Sequence, residues 1–136
     1  MIDACPDSAV LFFDVDGTLT FFDPDDMTDK DFSAVRPSRA VIEAFHRLRD
    51  AGHQAFICTG RPLWLIADGL RALNPAGIVA MAGATLEVEG RVVHEDCFDE
   101  DVIAELARRI SVAGGEALFE TNGATYSLEP VGVEQS

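Results

Sequence analysis

Apolar residues along the chain come in short, separated bursts. The first, Val10 to Phe13, is continuous and β-prone. An unbroken apolar run of this length predicts a strand buried on both faces, as in a parallel sheet. A long polar stretch, 14–37, follows and reads as a loop. Ser38 can then cap a helix, because Val41, Ile42, Phe45 and Leu48 fall on one helical face. Gly52 closes that helix in the usual C-terminal position. Ala55 to Cys58 predicts a second buried strand, ending in Thr59-Gly60-Arg61-Pro62. Pro62 suits a first helical turn, so a helix is expected over Leu63 to Leu73, stopped by Asn74-Pro75. Ile78 to Met81 predicts a third strand. The order strand, helix, strand, helix, strand means an α/β fold with right-handed crossovers.

The pattern changes after Gly83. Thr85 to Val88 and Arg91 to His94 flank Glu89-Gly90 and predict a hairpin. Asp99 can cap another helix, with Val102, Ile103, Leu106 and Ile110 on one face and Gly114-Gly115 at its end. The segments ALFET and ATYSL surround Asn122-Gly123, a strong hairpin signal. This second part is antiparallel in character. A module boundary is expected near Ala82 to Ala84, dividing the chain into residues 1–84 and 85–136.

Composition narrows the possible functions. At 136 residues and 48% hydrophobic, the chain suits one ordinary domain with a packed core. The net charge of −14 argues against nucleic acid and anionic membranes, whose phosphates would repel such a surface. It is compatible with a local anion site supported by a divalent cation. No apolar run is long enough to span a bilayer, and MIDACPDSAV lacks the basic segment of a secretory signal. Cys5, Cys58 and Cys97 are odd in number and far apart, which indicates neither a zinc site nor a disulfide framework. A reduced, cytoplasmic setting is therefore expected.

Two constellations carry candidate chemistry, each at the carboxyl end of an expected strand. Ligands bind there in open parallel sheets. The first is Asp14-Val15-Asp16-Gly17-Thr18. Two close carboxylates repel, so one tends to hold a proton unless a cation intervenes. That supplies one nucleophile or metal ligand and one proton donor. Gly17 allows a sharp turn, and Thr18 can fix it by hydrogen bonding. The same residues also suit an ordinary turn. The second is Thr59-Gly60-Arg61-Pro62. A turn that opens a helix offers N–H groups and a positive dipole end to phosphate. Arg61 either adds charge there or faces solvent. His46, His53 and His94 have no companion ligands nearby in the sequence and read as structural, as does Cys58. Trp64 suits either the border of the site or the core.

FFDVDGTLT, followed by CTGRP and MAGATLEVEGRVV, resembles the haloacid dehalogenase (HAD) superfamily, and within it the Cof-type and sugar-phosphatase branch. The resemblance covers about residues 9–128. It implies a HAD-like Rossmannoid parallel sheet followed by the start of an α+β cap domain. It implies that Asp14 is a nucleophile forming an aspartyl phosphate, and that Asp16 protonates the leaving oxygen and later activates water. It also implies Mg²⁺ held by the Asp14 carboxylate and the Asp16 backbone carbonyl. Thr59 would hold a phosphoryl oxygen, assisted by Gly17, Gly60 and Arg61. The implied substrate is a small phosphorylated metabolite such as a sugar phosphate.

The resemblance is incomplete. Where the family often has Asn-Gly-Ala, this chain has Ala82-Gly83-Ala84. The family also needs a lysine beside the nucleophile and an acidic pair after a fourth strand. The one lysine, Lys30, lies in the loop before the first helix. Asp23, Asp25 and Asp26 read as a solvated acidic loop, and Asp99-Glu100-Asp101 as a helix start. The family sheet continues beyond its first strand with later strands, so here that strand is expected to present an apolar edge. The chain is therefore expected to be an N-terminal portion of a longer phosphatase, with little turnover alone and possible self-association through the open edge. Two alternatives stand beside this reading. One is a non-catalytic remnant acting as a phosphate-binding or oligomerising module. The other is a phosphomutase like the phosphomannomutases, which share much of the first motif.

Overall fold

A computed structural model of the chain describes residues 8–21 and 36–129. Cys5, Asp23, Asp25, Asp26 and Lys30 lie outside the described residues. The chain divides into two compact units between Glu95 and Asp96.

The first unit is built on a mixed five-stranded sheet ordered β1-β2-β3-β4-β5. β1 (Val10–Asp14), β2 (Gln54–Cys58) and β3 (Gly77–Ala80) are parallel. β4 (Thr85–Val88) and β5 (Arg91–Glu95) are antiparallel. Glu89 and Gly90 both have positive φ, as the tight hairpin turn between β4 and β5 requires. These two strands continue the sheet of the first unit.

Helix α1 (Arg39–Asp50) starts where expected: the Val41 N–H donates to the Ser38 hydroxyl. Gly52 follows it with φ +82°. Phe45 is buried, and its ring lies 5.3 Å from that of Phe13 on β1. The core is made by Val15, Leu19, Phe45, Ile57, Leu70 and Ile78 with their neighbours, all from the first unit.

Two expectations are corrected. β1 is not buried on both faces. Exposure alternates along it: Leu11 and Phe13 are half-buried, Phe13 against Phe45 of α1, whereas Val10 is 54% exposed and Phe12 61% exposed on the opposite face, and β1 pairs only with β2 among the described residues. Nor does an unbroken helix run from Leu63 to Leu73. A single 3-10 turn, Leu63–Leu65, is followed by extended backbone at Ile66 and Ala67, then by the four-residue helix α2 (Asp68–Arg71). Gly69 is close-packed under the Arg36–Pro37 segment, where an added Cβ would lie 3.3 Å from the Pro37 ring.

The second unit contains helix α3 (Glu100–Val112) and the hairpin of β6 (Ala117–Glu120) and β7 (Thr125–Leu128). No residue of α3 is fully buried. The β6–β7 turn is closed by Thr121, whose N–H donates to the Ala124 carbonyl at 2.8 Å.

Candidate active site

The end of β1 folds into a tight knot. The Val15 carbonyl accepts from the backbone N–H groups of Leu19 and Thr20, each at 3.0 Å, and from the Thr20 hydroxyl at 3.1 Å. Gly17, at φ +84°, lets the chain reverse, and its N–H donates to the Thr20 carbonyl at 2.8 Å. Val15, Leu19 and Thr20 are buried and act as the plug of the knot. Asp14 and Asp16, on either side of Val15, are left exposed. Apolar Val15 enters the core while the two carboxylates stay on the solvent side, which is how one short motif anchors itself and still presents its acids. The hydroxyl that ties the turn belongs to Thr20, a residue the sequence reading did not single out; that reading gave the role to Thr18.

The end of β2 forms the second wall. Thr59 is buried, and its N–H donates to the Val79 carbonyl at 2.9 Å. Its hydroxyl oxygen accepts from the Arg61 N–H at 3.2 Å. The hydroxyl hydrogen is therefore directed elsewhere and can serve an incoming oxygen. Gly60 is exposed, and a Cβ added there or at Gly17 would enter open space. With only a 3-10 turn and a four-residue helix behind this wall, the expected helix dipole does not contribute to it.

Arg61 joins the two walls. It is only 7% exposed, and its guanidinium lies on the Asp16 carboxylate. Nε donates to one carboxylate oxygen at 3.1 Å and Nη2 to the other. Such paired charge-assisted bonds are among the strongest available to side chains. Arg61 is thus not a solvent-facing charge. This contact, across 45 positions of chain, is the main feature of the site that local sequence patterns did not show.

The end of β3 closes the arrangement. The Met81 N–H donates to the Arg61 carbonyl at 3.0 Å, and the Ala82 N–H to the Thr59 carbonyl at 3.1 Å. Met81 and Ala82 both adopt left-handed backbone, at φ 51° and 54°. Backbone of this kind in non-glycine residues is costly and tends to cluster at functional sites.

The oxygen donors at the end of β1 suit a hard divalent cation. Mg²⁺ is commonly held by one or two carboxylates together with water and phosphate oxygens. The Asp14 carboxylate and the Asp16 main-chain carbonyl are donors of this class, whereas the Asp16 carboxylate is engaged by Arg61. Among the described residues, no group of three or more His, Cys, Asp or Glu is gathered to bind a metal. His46 and His94 are exposed. His53 has a structural part, its Nδ1 accepting from the Ala9 N–H at 3.2 Å. Cys58 is half-buried and free, Cys97 is exposed and free, and Trp64 is 49% exposed. No described helix is long and apolar enough to cross a membrane.

Comparison with known proteins agrees with this architecture. Residues 11–136 match the family model for haloacid dehalogenase-like hydrolases, and the chain belongs to that family. It is 26% identical over 127 residues to the Bacillus subtilis (strain 168) protein named "Putative phosphatase YkrA", covering 91% of this chain and 45% of that protein. Among solved structures it is similar to the subclass IIB sugar phosphatase BT4131, with 26% identity, a TM-score of 0.66, and coverage of 88% of this chain and 43% of the other. It also shares its fold with the phosphatase BT1666 from Bacteroides thetaiotaomicron, with 21% identity, a TM-score of 0.75, and coverage of 93% and 44%. The chain spans less than half the length of each of these relatives.

Proposed function

We propose that the chain carries the nucleophile-bearing part of a Mg²⁺-dependent phosphate-monoester hydrolase for a small phosphorylated metabolite, such as a sugar phosphate. The observation that carries this reading is the pair of exposed acids, Asp14 and Asp16, set around buried Val15 and tied through Arg61 to the Thr59–Arg61 turn. In this reading Asp14 attacks phosphorus, the bond to the leaving oxygen breaks, and an aspartyl phosphate forms. Asp16 gives a proton to the leaving oxygen and then takes one from the water that releases phosphate. The Thr59 hydroxyl donates to a phosphoryl oxygen. Mg²⁺, when bound at the Asp14 carboxylate and the Asp16 carbonyl, supplies the positive charge that lets a carboxylate approach an anion. The family membership and the sugar phosphatase among the relatives support both the reaction class and the substrate class.

The test is hydrolysis of p-nitrophenyl phosphate with Mg²⁺ by this chain and by Asp14→Asn. Slow release that disappears on substitution is expected. Release that survives the substitution contradicts the mechanism.

A second reading is favoured by β1, which ends the sheet among the described residues and leaves Val10 and Phe12 exposed. Open apolar sheet edges invite pairing. In this reading the chain is an oligomerising module. Light scattering after size exclusion separates the two: a monomer with a cooperative melt counts against assembly through β1.

A further inference from the structure

We infer that Arg61 is the positioning residue of Asp16 and not a ligand of the phosphoryl group. The chemical consequence rests on the phosphoryl-transfer reading above; the contact itself does not. Three observations carry the inference. First, the guanidinium meets both oxygens of one carboxylate, Nε to Oδ2 and Nη2 to Oδ1, which fixes the direction of that carboxylate as well as its distance. Second, Arg61 is 7% exposed whereas the Asp16 side chain is 44% exposed, so the cation sits behind the acid and the acid is open to solvent. Third, the backbone of Arg61 is held at both polar atoms. Its N–H donates to the Thr59 hydroxyl, and its carbonyl accepts from the Met81 N–H. The fork is therefore mounted on the ends of β2 and β3, within the sheet, and reaches out to a loop on the edge strand.

This mounting matters for the role given to Asp16. A group that must deliver a proton to one oxygen and later remove one from water works only if its carboxylate is held in line with the reacting atoms. Small displacements of a catalytic group cost about a hundredfold in rate. An aspartate on an exposed loop has free side-chain torsions, and the Arg61 fork removes that freedom. Lysine cannot reproduce the effect, because it offers a point charge in place of a planar pair of donors.

The test uses the full chain with Arg61→Met and Arg61→Lys, each first checked for a folded amide spectrum and a cooperative melt. The direct readout is the set of three-bond couplings that report the χ1 rotamer of Asp16 by NMR. A single rotamer is expected in the unsubstituted chain, averaged couplings in Arg61→Met, and intermediate averaging in Arg61→Lys. The second readout separates positioning from phosphate binding. With Mg²⁺ present, the affinity for inorganic phosphate should stay within about threefold in Arg61→Met, while kcat for p-nitrophenyl phosphate falls about a hundredfold. Unchanged Asp16 couplings in Arg61→Met would overturn the inference. So would a tenfold or greater loss of phosphate affinity with the rotamer intact. If the unsubstituted chain neither binds phosphate nor turns over ester, the phosphoryl-transfer reading fails, and the couplings alone decide whether Arg61 holds Asp16.

Discussion

β1 and β2 lie side by side, paired from Val10 with Gln54 to Asp14 with Cys58, and each ends in a loop of the candidate site. β2 has a neighbour on each side, and its Ile57 is fully buried. Among the described residues β1 has a neighbour on one side only, and none of its residues is fully buried. Whether an apolar strand becomes interior is decided by what lies next to it, not by its own composition. The site inherits the asymmetry. The Thr59–Arg61 wall is anchored in the middle of the sheet. The Asp14–Asp16 wall stands on the edge strand and is held by the Val15–Leu19–Thr20 plug and by the Arg61 fork.

The largest effect that would break this contrast comes from truncating one residue on each strand. Ile57→Ala should cost about 2–5 kcal/mol, the usual range for emptying a buried aliphatic site. Phe12→Ala, on the exposed edge, should cost less than about 1 kcal/mol by the weak response of surface positions. Urea unfolding of the two variants measures the difference, and equal costs would mean that β1 is covered in solution.

Next in size is Gly77→Ala on β3. An added Cβ would lie 2.6 Å from the Glu87 carbonyl oxygen and 2.6 Å from the Phe56 ring, so the interior of the sheet must shift. A loss of about 1–3 kcal/mol is expected from such overpacking, read from the same unfolding curves. Ala82→Gly should act in the opposite direction. Relief of the left-handed strain at φ 54° exceeds the entropy that glycine adds to the unfolded chain, giving a gain of up to about 1 kcal/mol. A lower midpoint for Ala82→Gly would show that this loop is not strained.

The smallest effect belongs to solvent-facing charges. Arg108 and then Arg109, both hydrogen-bonded to Glu105 on α3, hold its carboxyl below the ordinary value of 4.5. A carboxyl lowered in the folded state adds stability above its unfolded value, and that stability is lost as pH falls through the folded value. The difference in melting temperature between the chain and Glu105→Gln should therefore be small near neutral pH and vanish as pH falls through the folded value, below the ordinary 4.5. A difference that grows on acidification would contradict the pairing.

What could be read in advance was local. Ser38 and Gly52 bracket α1 because capping needs only a few adjacent residues. Glu89-Gly90 closes its hairpin because the turn is set by two backbone torsions. Asp14 and Asp16 stood out because a carboxylate pair at the end of an apolar run is unusual. What could not be read depended on distant partners. The exposure of Phe12 follows from which face of β1 the described helices cover. The break at Ile66–Ala67 accompanies packing in which the Arg36–Pro37 segment crosses Gly69. The bond from Arg61 to Asp16 joins two loops that only the sheet brings together. The resemblance to haloacid dehalogenases drew attention to the two acids, but it did not show that the arginine of Thr-Gly-Arg faces one of them.

The central claim is that Asp14 accepts a phosphoryl group at this site. The most direct measurement is binding of beryllofluoride, an acyl-phosphate mimic, with Mg²⁺, followed by fluorine NMR and amide shifts in the full chain. A bound fluoride signal is expected, with shifts confined to Asp14–Thr18 and Thr59–Arg61, and both should disappear in Asp14→Asn. No bound signal, or one that persists in Asp14→Asn, would contradict the account.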